Sequence, residues 1–278
     1  MIVEPVKKFI VERETIRIKK ERGDPAPWTT DPVLANFRFT NVYREDDKVT
    51  RWGAEYVRTA PSPILACTVF RWFNRISTGD AIFEQQSATG ETAWEMYLRT
   101  GNVFILGEAI RAACGSGPYV TGVYIVKTPQ GFTKLDGVLW CIEKVQPYVE
   151  AMGKCYTLQD AFETLLCAPY QGSFTAAQVI ADIKFLPQFS GAADFDTFVA
   201  SGPGSRKGLN IVMGCDIKDP WGEKEFRETL LDLRERLKPT FIERGWKTPT
   251  AQDVQNVLCE YSKWCRGSSR NVYKPTLR

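Results

Sequence analysis

The chain has 278 residues, of which 44 % are hydrophobic and 25 % charged, and it carries a formal net charge of +3. It is too apolar for a disordered polymer, long enough to bury a sizeable core in one or two domains, and too nearly neutral to be evenly coated with a polyanion. It has no histidine, which excludes Ser-His-Asp and Cys-His catalysis, His-based zinc catalysis and the His/Cys zinc deaminases. Any acid or base must be a carboxylate, Lys, Tyr, Cys or the substrate itself.

Residues 6–22 (VKKFIVERETIRIKKER) are mixed in charge and fit either a helix or an extended arm. The following GDPAPWTTDP is a loop by its turn chemistry. Residues 1–30 are therefore set apart as an N-terminal arm. From Asn36 to Arg58 the pattern turns helical, with Val42, Val49, Trp52 and Tyr56 on one face. Arg44, Asp47, Lys48, Arg51, Glu55 and Arg58 fall on the other, where a solvated face laced with ion pairs is the simple account. Pro61 and Pro63 close that element, and residues 64–76 (ILACTVFRWFNRI) read as a core helix.

Residues 91–113 predict one or two helices broken at Gly101-Asn102, and 114–133 a short hairpin or an irregular crossing. Helices are expected over 135–151, 157–168 (capped by Thr157 with Asp160 at N3), around 175–186 and over 223–237. Thr250 opens the last strong helix with Asp253 as its capping partner, and Val254, Val257, Leu258, Tyr261 and Trp264 line its buried side. The fold class is mainly α.

Eight cysteines include no C-x-x-C pair, so reduced and mostly buried thiols are expected in a cytosolic protein. The start has no signal-peptide layout, and no apolar run approaches ~18 residues.

The sharpest local signal is Ser201-Gly-Pro-Gly-Ser-Arg-Lys-Gly-Leu-Asn210. Gly202 and Gly204 allow a tight turn, Ser205 can cap a helix, and Arg206 and Lys207 add positive charge, so the run suits a phosphate. It is neither a P-loop nor a dinucleotide fingerprint, and an ordinary Gly-Pro turn before a helix fits equally well. Upstream, Gln178 and Asp182 share a helix face, where the carboxylate could orient a nucleophile or merely sit at a cap or surface. Aromatics interleave with polar and basic residues at Tyr43-Arg44, Arg71-Trp72-Phe73-Asn74-Arg75 and Lys263-Trp264-Cys265-Arg266. Such clusters can stack a flipped base, and they also occur simply as core.

Three blocks then resemble the phage amino acid:DNA transferases, also called α-glutamyl/putrescinyl thymine pyrophosphorylases. They are the run from Thr30 to Trp52 (TDPVLANFRFTNVYREDDKVTRW), SGPGSRKGLN at 201–210 and LCEYSKW at 258–264. The resemblance implies a step of thymine hypermodification in phage DNA, in which an amino acid or polyamine nitrogen displaces pyrophosphate from the 5-methylene carbon. It further implies a two-lobed, helix-hairpin-helix DNA-glycosylase-like fold over 31–278, with 201–210 as the hairpin. The glycosylase Lys and Asp pair has no counterpart here, because Lys207 lies past the glycines and Asp216 and Asp219 follow only loosely.

In that reading Asp47 or Asp182 is the base, and Arg38, Asn41, Arg44, Arg51, Gln178 and Lys263 contact substrate and DNA. Gly202, Gly204, Ser205, Arg206, Lys207, Gly208 and Asn210 hold the leaving group, with Mg²⁺ as an optional bridge and no other cofactor. The implied partners are DNA carrying modified thymine and a free amine, glycine first, in the cytoplasm of the host and away from membranes. A similar helical domain accompanies hydroxymethyluracil DNA kinases. This chain has no P-loop, so the alternatives are a non-catalytic DNA-binding partner of such a kinase or a base-excision glycosylase.

Overall fold

The computed structural model describes residues 1–122 and 126–268. Among them it is all-helical, with no named strand; an isolated antiparallel bridge joins Gln86 and Thr92. In chain order the helices are α1 (Glu4–Glu21), α2 (Pro32–Asn36), α3 (Lys48–Tyr56), α4 (Pro63–Phe73), α5 (Ile76–Phe83), α6 (Ala93–Thr100) and α7 (Phe104–Cys114). They continue as α8 (Lys134–Met152), α9 (Leu158–Leu166), α10 (Ser173–Ile183), α11 (Pro203–Met213), α12 (Glu223–Ile242) and α13 (Ala251–Cys265). Of the segment predicted as a hairpin or crossing, 115–122 and 126–133 are irregular and 123–125 lies outside the described residues. Two compact units result. Unit 1 joins Met1–Asp47 to the chain from Asp196 onward, and unit 2 is the unbroken stretch Lys48–Phe195.

Unit 1 is built on α13. The Thr250 hydroxyl accepts the Asp253 N–H, and the Asp253 carboxylate accepts the Thr250 N–H at 2.9 Å, which closes a capping box and fixes where the helix starts. Its apolar side then packs Val254, Leu258 and Tyr261 into a core shared with Leu209, Leu233 and Phe241. Phe9 of α1 meets the rings of Phe39, Tyr261 and Trp264 at centroid distances of 6.0, 5.9 and 5.6 Å. Val6, Ile10 and Ile16 belong to the same core, so the first thirty residues hold an integrated helix. The mixed charge of α1 hid this because its buried side also carries Arg13 and Glu14.

The helix expected from Asn36 begins only at Lys48. Residues 37–43 are held in an irregular path, with Phe39, Val42 and Tyr43 buried. Backbone that leaves a helix must find other partners, and the Arg13 guanidinium supplies them. It donates to the Phe39 carbonyl at 3.0 Å and to the Thr40 carbonyl at 3.1 Å. The Asn41 N–H donates to Asp47 Oδ1 at 2.9 Å, which closes the loop on itself within unit 1.

Unit 2 is centred on α4. Every residue from Leu65 to Phe73 is buried, the mark of a helix apolar on all sides and wrapped by others. It packs against α10, α8 and α5. Trp52 of α3 lies 5.0 Å from the Phe70 ring and seats on Gly79 of α5, where any Cβ would meet the indole. The break at Gly101 falls where the sequence places it, since this glycine ends α6 with φ +69°.

The thiols are less buried than expected. Cys67 and Cys141 are interior, whereas Cys167, Cys215 and Cys265 are exposed. Burial pushes the Cys67 thiol well above its ordinary value and Cys141 up to about 11. In the folded chain a thiol reagent is expected to modify Cys167 and Cys215 and to spare Cys67 and Cys141, as read by peptide mass mapping. Equal labelling of Cys67 and Cys167 would contradict the packing. Because the unfolded Cys141 ionises near 9.0 and the folded one keeps its proton to about 11, this group leaves stability level below pH 9 and lowers it across that interval.

Candidate nucleic-acid interface

In unit 1 the signature loop is anchored from both sides. Besides Arg13, Asn256 of α13 donates to Thr40 Oγ1 at 2.9 Å and to the Asn41 carbonyl at 3.2 Å. The Thr40 N–H reaches Glu260 at 3.3 Å, and the Arg44 N–H reaches Asp253 at 3.0 Å. Asp31 caps α2 through the N–H groups of Val33 and Leu34, and its second oxygen accepts the Trp264 indole N–H at 3.0 Å. Among the residues cast as substrate ligands, Asn41 also donates its amide to the Asp46 carbonyl at 2.8 Å, and Arg44 reaches Asn256 at 3.3 Å. Asp47, cast as a base, accepts the Asn41 N–H. Arg38 is exposed, and Lys263 forms an ion pair with Glu260.

The glycine-rich run enters a helix rather than turning as a hairpin. Gly202 is the N-cap, Pro203 the first helical residue, and 203–210 fill the first two turns of α11. Pro in that position costs no hydrogen bond. Ser205 is buried, its hydroxyl accepting the Gly202 N–H at 3.0 Å and the Gln255 amide at 3.2 Å. Gly204 and Gly208 share one face and lie directly on α13. A Cβ on Gly208 would run into the Leu258 carbonyl, and one on Gly204 into the Cys259 sulfur. Asn210 is buried, donating to the Asp219 carbonyl at 2.9 Å and accepting the Trp221 indole N–H.

Arg206 is paired with Glu223 and donates to Ser201 Oγ at 2.8 Å. Burial works against the Glu223 carboxyl, yet hydrogen bonds from Ser201 and Arg206 hold it below the usual carboxylate range. An incoming phosphate would therefore compete with an ionised partner for Arg206. Lys207 is exposed.

In unit 2, Gln178 and Asp182 lie on α10 and are both buried. The Asp182 carboxylate receives a two-pronged grip from Arg71 of α4, Nε to Oδ2 at 2.5 Å and Nη2 to Oδ1 at 2.6 Å. Arg71 also donates to Asn74 Oδ1 at 2.7 Å and Thr50 Oγ1 at 3.1 Å. Both ion-pair partners are 3 % exposed or less, so the pair is interior. Arg51 is exposed on α3.

A cavity of about 510 Å³ opens in the same unit between the start of α4, α6, α8 and the segment after α10, lined among others by Pro63, Leu98, Gln146, Val149 and Pro187. None of the residues chosen from the sequence lines it. Among the described residues no group of three or more His, Cys, Asp or Glu side chains could hold a metal, and no helix is long and apolar enough to cross a membrane. The aromatics singled out at Trp72, Phe73 and Tyr43 are buried. Sequence reasoning passed over Trp140, Tyr170 and Phe174, of which Tyr170 and Phe174 are exposed; their only signal was two aromatics flanking Gln-Gly-Ser in a turn.

An all-helical protein whose 39–41 segment is pinned by polar side chains of α1 and α13 is the class these observations define. The family model "5-hmdU DNA kinase, helical domain" matches residues 1–274, and the chain belongs to that family. The 5-hmdU DNA kinase of Bacillus phage SP10 is 26 % identical over 231 residues, covering 73 % of this chain and 35 % of that protein. The chain thus spans about a third of the length of the curated relative it matches. No solved structure matches.

These findings correct the resemblance to amino acid:DNA transferases. Family and relative both point to the kinase group, so the transferase activity and pyrophosphate displacement by an amino acid or polyamine are set aside. A theme of DNA modification is common to both.

Proposed function

We infer that this chain is a non-catalytic helical module that engages DNA for a 5-hmdU DNA kinase, holding strands that carry 5-hydroxymethyluracil while a separate nucleotide-binding part transfers phosphate. The family match over nearly the whole chain carries this reading. The 278 residues hold no G-x-x-x-x-G-K-[ST] run, so the P-loop way of cradling a nucleotide's phosphates is not written in them, in keeping with this reading. A base stacked in a duplex is closed to a kinase, so a module that grips the backbone and offers the base outward serves that chemistry. A glycosylase-like, two-lobed scaffold is part of this proposal, supported by the all-helical plan. The phage origin of the relative supports action in an infected host cell.

The test is fluorescence anisotropy with labelled oligonucleotides containing thymine or 5-hydroxymethyluracil, single- and double-stranded, across a salt series. Binding that weakens linearly in log Kd against log salt is expected, as displaced counterions require. A folded protein that binds none of these DNAs at low salt would end the reading.

A further inference from the structure

We propose that Tyr170 and Phe174, backed by Trp140, form a stacking platform for an unpaired nucleobase, with Lys144 beside it for the adjoining phosphate; the proposal rests on the DNA-engaging reading above. In unit 2 several large rings are interior: Phe70, Trp72, Phe73, Trp94 and Tyr97 are each 2 % exposed or less. Tyr170 and Phe174 belong to the exposed rings, with Phe104, Phe132 and Tyr156; at 47 % and 44 % exposed they stand four residues apart at the entry to α10.

The backbone at Tyr170 is in the left-handed region at φ +59°, a conformation that a bulky aromatic adopts only when its surroundings impose it. Those surroundings are visible. Gln171, next in the chain, is buried, its side-chain oxygen accepts the Trp72 indole N–H at 2.9 Å, and its backbone N–H donates to the Ala168 carbonyl at 3.2 Å. The Tyr170 ring is fixed edge-on to Trp140 of α8, with centroids 5.7 Å apart and planes at 83°. The interior thus spends strain to hold a ring out to solvent in one pose.

One helical turn beyond Trp140, the Lys144 ammonium lies 5.8 Å from the indole centroid, with the Glu143 carboxylate 3.5 Å from it. Flat π faces with a cation alongside are what stacks a base and meets its phosphate. They read no sequence, which suits a module whose target is defined by a modification.

The experiment compares wild type, Tyr170→Ala/Phe174→Ala and Tyr170→Phe, each checked for fold by circular dichroism. Anisotropy on a single-stranded thymine oligonucleotide and its matched duplex is read alongside sedimentation. The double variant should lose about 10-fold or more in single-strand affinity, in keeping with the cost of deleting a base-stacking ring, and less on the duplex. Tyr170→Phe should stay within about 3-fold of wild type, because the π face remains. A folded double variant that binds single strands as wild type does would overturn the platform and leave the DNA-engaging reading standing. A wild type that binds no DNA would remove that reading and the platform together. A change in oligomeric state with unchanged DNA affinity would reassign the rings to a protein contact and overturn the platform.

Discussion

Gly208→Val should cost unit 1 about 3 kcal/mol or more, because the new side chain has nowhere to go. A Cβ at Gly208 meets the carbonyl oxygen, carbonyl carbon and Cα of Leu258, all of them backbone, so α11 and α13 would have to separate. Separation would open the seam that buries Leu209, Val212, Val254 and Leu258. Gly204 offers a graded control. There the added atom meets the Cys259 sulfur, a side chain that can be shortened. Gly204→Ala should therefore destabilise less than Gly208→Val, and Cys259→Ala should recover much of the loss. Urea unfolding followed by circular dichroism measures all three. A Gly208→Val protein as stable as wild type would mean that the two helices do not touch as described.

A comparable loss is expected in unit 2 from Asp182→Leu, about 3–5 kcal/mol, since it strands the Arg71 guanidinium without its carboxylate in the interior. Arg71 would keep Asn74 and Thr50, which are neutral and cannot balance a full charge. Arg71→Leu/Asp182→Leu should be the milder change, because it removes both ions and leaves leucines among apolar neighbours. Thermal unfolding of the three proteins decides the matter. If the single variant proves no worse than the double, the pair is not desolvated, and Asp182 returns as a group that solvent can reach.

Much of the fold was legible where local chemistry decides it. Thr157 and Thr250 cap helices through Asp160 and Asp253, and the apolar run that became α4 could only be interior. The segment 36–47 was misread because helical spacing is a local signal, whereas its path is set by Arg13, Asn256 and Glu260, far away in sequence. The glycines at 204 and 208 announced their spacing openly. Small residues four apart suit close packing of helices as well as they suit a phosphate, and only the position of α13 separates the two. The signature block likewise marked a relationship without fixing a chemistry, since a shared helical scaffold can serve enzymes and their partners alike. Tyr170 stayed hidden because neither composition nor periodicity reports a left-handed backbone.

The interruption of unit 1 by unit 2 along the chain has a consequence for biosynthesis. During translation the second unit leaves the ribosome as one continuous piece and can close without delay. Helix α1, made before α13, carries Phe9 and Ile10 with no α13 yet in existence to cover them. Its greasy side must wait through the synthesis of everything between, so α1 is the stretch for which a chaperone would compete.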